Sequence, residues 1–157
     1  MDRMFVRYFV EVPLPFEQAE GLLLDSPGRW VPGLARGAHA RGERLLAEVG
    51  FGGAGRRVVK RVEIELGRPL RYPTKTVVPM TWRASGPEAL FPTLEADVEV
   101  AALGPDRSQL AVSARYRPPL GSVGRIIDRA LLHRVAEATL KDFVDRVAER
   151  LLAPAAS

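Results

Sequence analysis

Hydrophobic and polar positions alternate with a period of two from the start of the chain. Val6, Tyr8, Val10 and Val12 share one face of a strand running from Phe5 to Val12, which Pro13 ends. Pro15 then suits a first helical turn, and Glu17 and Glu20 are well placed near a helix N-terminus, which predicts a short helix to about Leu24. Ser26-Pro27 repeats the start signal and predicts a second short helix through Trp30. Alternation returns at Glu43, where Leu45, Ala47, Val49 and Phe51 face away from Arg44, Leu46 and Glu48. After a run of glycines, Val58, Val62, Ile64 and Leu66 alternate with Arg57, Arg61, Glu63 and Glu65. The stretch Thr74 to Arg83 is also strand-like, with Pro79 marking a bulge or an edge position. Leu94, Ala96, Val98 and Val100 form a further strand, and Leu110, Val112, Ala114 and Tyr116 another. Consecutive strands with short turns predict an antiparallel meander with one wet face, which Pro118-Pro119 stops.

The period changes to 3.6 in the last part of the chain. One long helix is expected from Ser122 to Leu152, with Leu140, Val144, Val147 and Leu151 as its apolar stripe. Its first half departs from that stripe. Ile127, Leu131, Val135 and Ala138 lie on another face, while Arg129, His133 and Glu137 occupy the line that the later stripe would extend. The whole pattern predicts a single α+β domain over residues 1–152, followed by a frayed tail over 153–157.

Composition narrows the function. The 157 residues include no cysteine, which removes disulfides and thiolate chemistry. Charges at the N-terminus take the place of a signal-peptide apolar run, and no apolar stretch is long enough to span a membrane, so a cytoplasmic location is expected. A formal charge of +4 raises the question of nucleic acid. The basic residues are scattered among acids, however, and only Arg56-Arg57 with Lys60-Arg61 cluster, on an expected strand. A solvated basic surface accounts for them, and no specific nucleic-acid partner is expected.

The order of strand, two short helices, meander and long terminal helix resembles the helix-grip fold of the SRPBCC superfamily. That superfamily includes the START lipid-transfer domains, the Bet v 1-like proteins and the polyketide cyclases. The stretch Ser26-Pro27-Gly28-Arg29-Trp30-Val31-Pro32-Gly33-Leu34 resembles the segment after the first helix of such proteins. Tyr116-Arg117-Pro118-Pro119-Leu120-Gly121, leading into Gly124-Arg125-Ile126-Ile127-Asp128-Arg129, is similar to the join of last strand and terminal helix in bacterial members. Six strands can be counted here, where many relatives have seven. The resemblance implies a cavity between a curved antiparallel sheet and the terminal helix that takes an apolar or amphipathic small molecule, such as a lipid, a polyketide or an isoprenoid.

Individual residues add chemistry to this expectation. Gly50-Phe51-Gly52-Gly53-Ala54-Gly55 has the spacing of a dinucleotide loop, but a strand pattern follows where a helix would have to face the phosphates, so a hairpin turn is expected and no cofactor. His39 and His133 are the only imidazoles, and His133 with Glu137 at i, i+4 lacks a third ligand, so no metal site is expected. His133 reads either as a half-exposed partner of Glu137 or as a proton-transfer group at a pocket wall. Lys60 falls in the row of Val58, Val62 and Ile64, where it would point inward to a ligand carboxylate or to Glu137, unless a bulge or strand end turns it away. Tyr8, Met80, Trp82 and Tyr116 are the expected pocket walls, and Trp30 is expected to pin the second helix. Ala96 and Ala114, with Ala47, leave the middle of the inner face small, and Ala130, Ala136 and Ala138 do the same on the helix. Carriage of a ligand without chemistry is the leading expectation. A cyclase or dehydratase using His133, Tyr116 or Lys60 is the alternative, and a protein-interaction module with a filled core is the third reading.

Overall fold

The structure, a computed structural model, describes residues 4–48, 62–84, 93–117 and 129–153. Strand β1 (Met4–Val12) leads into helix α1 (Phe16–Leu24) and helix α2 (Pro27–Glu48). Strands β2 (Val62–Leu66), β3 (Leu70–Tyr72), β4 (Lys75–Ala84), β5 (Thr93–Gly104) and β6 (Arg107–Tyr116) follow, and helix α3 (Arg129–Leu152) comes last. All pairings are antiparallel, in the order β1-β6-β5-β4-β2, with β3 also on β4. The sheet is curved and unclosed. The terminal helix lies on its inner side and contacts β1 and β6.

The expected stripe of the terminal helix is its buried face: Leu140, Val144, Val147 and Leu151 are at most 3% exposed. Phe143, beside that stripe, is also fully buried and is the largest side chain the helix contributes. The first half of α3 does not turn to the expected face of Leu131 and Ala138, which are only half-buried: Leu132, Val135, Ala136 and Thr139 continue the stripe of Leu140 and Val144 at helical spacing, while His133 and Glu137 stay near water. Ala130 faces out rather than toward the sheet.

Two expectations are corrected. The second helix does not stop at Trp30, and Glu43 to Glu48 is not a strand. Helix α2 runs without a break from Pro27 to Glu48, passing through Pro32. Val31, Ala35, Ala38 and His39 form its buried face, and that helical spacing outweighs the two-residue alternation of Leu45 and Ala47. Helix α2 lies antiparallel to α3. Trp30 near its start sits under the Arg150 guanidinium at 5.5 Å, and Gly37 lies against Arg146. The count of six strands stands with a different membership: the expected strand at Glu43 is replaced by β3, a short strand the alternation did not mark.

Pro79 is in neither a bulge nor an outermost strand. It pairs in regular register with Asp97 on β5 and falls where, on the other side of β4, β2 has ended and β3 has not begun. There the Gly67 N–H donates to the Pro79 carbonyl at 2.7 Å. A Cβ on Gly67 would come within 3.1 Å of Pro79 Cβ, a tight contact that glycine avoids.

At the other end of the sheet, α1 is tied down by a buried acid. Glu20 accepts hydrogen bonds from Thr76 and, at 3.0 Å, from Arg71. These two donors hold its carboxyl below the usual carboxylate range, against the opposing effect of burial.

Candidate ligand-binding face

Strand register places the expected site residues in straight rows across the inner face. One row is Leu66, Met80, Ala96, Ala114 and Val6. The next is Ile64, Trp82, Leu94, Tyr116 and Met4. A third carries Val78, Val98, Val112 and Tyr8. Residues directly opposite in an antiparallel pair share a face, so Tyr8, Met80, Trp82, Ala96, Ala114 and Tyr116 all point into the grip. The alternation in the sequence was sufficient to place all six.

The grip is tightly filled at its centre. Trp82 and Ala114 are both 0% exposed, so no water-sized space touches either side chain. The small residues of the sheet are matched by helical side chains from two sides, because α2 as well as α3 covers the concave face. Trp82 meets Phe143 of α3 edge-on, with centroids 6.1 Å apart, and His39 of α2 at 5.7 Å. Tyr8 lies nearer the margin, partly exposed under the Lys141 ammonium, which is 5.8 Å from its ring. Two depressions lined by described residues, of about 260 and 250 Å³, open instead on the outer face and at the strand ends, among charged side chains such as Glu95 and Arg115. Arg115 points outward and pairs with Asp97 at 3.8 Å.

Polar groups gather at one end. The Tyr116 hydroxyl is buried, and its pKa is pushed up to about 12, first by burial and then by the negative charge of Glu137. Glu137 in turn lies 2.7 Å from His133 Nε2. Glu137 therefore pairs directly with His133, while its charge reaches Tyr116 only through space. With its pKa raised in this way, the Tyr116 hydroxyl keeps its proton at neutral pH and is unsuited to act as a base there. Lys60 lies outside the described residues, as do Phe51 and the glycine run. No group of three or more His, Asp or Glu among the described residues is placed to hold a metal ion.

His39 is the group that the sequence reading passed over. It is 1% exposed, and its Nδ1 accepts a 3.1 Å hydrogen bond from Trp82 Nε1. An indole N–H can only donate, so Nδ1 is the acceptor and the neutral ring carries its proton on Nε2. That nitrogen faces Glu43 Oε1, one helical turn on, at 3.4 Å. The signal was present as the spacing Val31, Ala35, Ala38-His39, but it becomes visible only once the helix is extended past Trp30.

No protein-family model matches the chain, and no curated protein matches it in sequence. Solved structures do match it in shape. A conserved protein from Geobacillus kaustophilus superposes with a TM-score of 0.54 at 12% identity, covering 94% of this chain and 95% of that one. The fold is the helix grip. Other helix-grip matches include the Zhui aromatase/cyclase from Streptomyces sp. R1128, at TM-score 0.45 and 12% identity, over 99% of this chain and 100% of that one. Truncated norcoclaurine synthase from Thalictrum flavum matches at TM-score 0.46 and 13% identity, over 98% and 96%. At such identities the likeness is one of helix-grip architecture, and the resemblance read from the sequence leads to the same architecture.

Proposed function

We propose that this protein binds an apolar or amphipathic small molecule between the inner face of the sheet and its two covering helices. The observation that carries this reading is the composition of that face. Its rows are apolar throughout, with the small centre at Ala96 and Ala114 closed by α2 and α3 until a ligand parts them, and one end carries the protonated hydroxyl of Tyr116. An apolar interior with a fixed donor at one end suits a molecule with a hydrocarbon body and one polar handle. His133 stands at the rim. The test is titration with a fluorescent fatty acid. One-to-one binding at micromolar affinity with a raised melting temperature is expected, and Ala114→Trp should abolish it. An unchanged melting temperature at saturating fatty acid would overturn the reading.

The His133–Glu137 pair, whose charge is felt at Tyr116, favours a second reading, a cyclase or dehydratase acting on a polyketide-like substrate. Tyr116 would donate a hydrogen bond to a carbonyl oxygen, and the His133–Glu137 pair would move a proton at the rim. Turnover of a β-diketone that is lost in Tyr116→Phe, with binding retained, would establish it. Binding without turnover leaves carriage as the function.

A further inference from the structure

The hydrogen bond between Trp82 and His39 is out of place in a core that is otherwise apolar at its centre. Trp82 stands on the sheet in the row of Leu94 and Tyr116, and its indole N–H points away from the sheet toward α2. Its acceptor is supplied by α2, which among the described residues packs more on α3 than on the sheet. Where α3 buries Leu140, Phe143, Val144 and Val147, α2 beyond Pro32 buries Ala35, Ala38 and His39. Among the described residues α2 thus contributes mostly small side chains of its own, and lifting it returns these and the covered part of Trp82 to water, at about 25 cal/mol per Å². Pro32 lies inside α2 and removes one of its helical hydrogen bonds, and Gly33 follows it with open space around its Cα. Proline within a helix is where helices bend. Besides the bond to Trp82, α2 is fastened to the sheet by Arg36 Nε, which donates to the Val62 carbonyl at 3.1 Å.

We infer that the indole N–H of Trp82 is the polar anchor of the ligand site, and that a ligand with an acceptor oxygen on an apolar body takes over this hydrogen bond from His39 as α2 swings away about Pro32 and Gly33. The inference rests on the apolar-ligand reading above and specifies the ligand class: a ketone, ester or acid, not a bare hydrocarbon. The exchange preserves the count of buried hydrogen bonds at Trp82, so displacing His39 does not strand a donor. Once outside, His39 is solvated and keeps Glu43 beside it on the same helix.

A matched pair of probes tests this: methyl naphthyl ketone and ethylnaphthalene, nearly equal in shape and differing by one acceptor oxygen. Heteronuclear NMR reads the two indole N–H resonances, assigned with Trp30→Phe, while calorimetry reads affinity. The ketone should bind about three- to tenfold more tightly than the hydrocarbon, the range that one net hydrogen bond of about 0.5–1.5 kcal/mol supplies. It should shift the Trp82 resonance, and Trp82→Phe should abolish the preference while leaving hydrocarbon binding in place. His39→Ala, which removes the competing acceptor, should tighten the ketone further. Equal affinities with an unmoved Trp82 resonance overturn the anchor and leave the apolar-ligand reading standing. If neither probe binds, both fall together.

Discussion

Trp82 and His39 join sheet to helix through a hydrogen bond of 3.1 Å from Nε1 to Nδ1, with both side chains withdrawn from water. Removing one partner leaves the other buried and unsatisfied, at a cost of about 1–3 kcal/mol. His39→Leu and Trp82→Phe should each therefore destabilise by at least that much. The double variant should fall short of their sum by about 1 kcal/mol, because the second change removes the stranded group. Urea denaturation of the four proteins measures the cycle, and strict additivity would show that the pair contributes nothing as a pair.

Glu20 gives the fold an acid limit. Arg71 and Thr76 stabilise its carboxylate and hold its folded pKa below the ordinary value. A lowered folded pKa means that the unfolded chain takes up the proton first as pH falls. The stabilisation is thus complete above the unfolded value of about 4.3 and is lost as pH drops through the lower folded value. Arg71 is well exposed, so water screens its share of the effect. Melting temperature should decline on acidification below about pH 4.3 and decline less steeply in Glu20→Gln. Parallel profiles for the two proteins would exclude Glu20 as the cause.

Tyr116 sets the opposite limit. Its folded pKa is raised from 10.0 to about 12, so between those values the unfolded chain loses a proton that the folded chain keeps. Stability should therefore fall as pH rises through that window, by up to about 3 kcal/mol for two pKa units. Tyr116→Phe should remove this alkaline loss while keeping the ring. Ultraviolet titration of tyrosinate should show one of the three tyrosines ionising only with unfolding, and a freely titrating set of three would refute the burial.

Legibility in the sequence followed the strength of local signals. The rows through Ala96, Ala114 and Tyr116 were readable because a period of two fixes a face wherever one side of a strand is wet, and Glu95, Asp97 and Arg115 mark that wet side. The stripe Leu140, Val144, Val147, Leu151 was readable for the same reason at a period of 3.6. Helix α2 was not. Its buried face is built from Ala35, Ala38 and His39, which have little hydrophobic contrast, and Pro32 and four glycines interrupt any propensity argument. Tertiary contact with α3 and the sheet makes it a helix, and tertiary contact is what local pattern lacks. The same blind spot hid His39. Phe143 was missed because it sits one position from the stripe, on a helix buried on two sides.

The contrast between the two covering helices gives the most discriminating prediction. Ala38 of α2 and Ala136 of α3 are both buried, at 0% and 1% exposure, and phenylalanine at either adds the same volume to the same core. Overpacking a rigid site costs about 1–3 kcal/mol and sometimes more. If the two helices were equivalent walls, the two substitutions would cost alike. Helix α3 is fixed by Leu140, Phe143, Val144 and Val147, so Ala136→Phe has no direction in which to relax and should cost about 3 kcal/mol or more. Among the described residues, helix α2 past Pro32 meets the sheet through small side chains and the hydrogen bonds of His39 and Arg36, so Ala38→Phe should push it outward at the lower end of that range. The displaced helix frees the Trp82 N–H, and the Ala38→Phe protein should accordingly bind methyl naphthyl ketone more tightly than the parent does. Denaturant midpoints and a ketone titration decide it: equal costs, or a weaker ketone affinity in Ala38→Phe, would mean that α2 is as permanent a part of the core as α3.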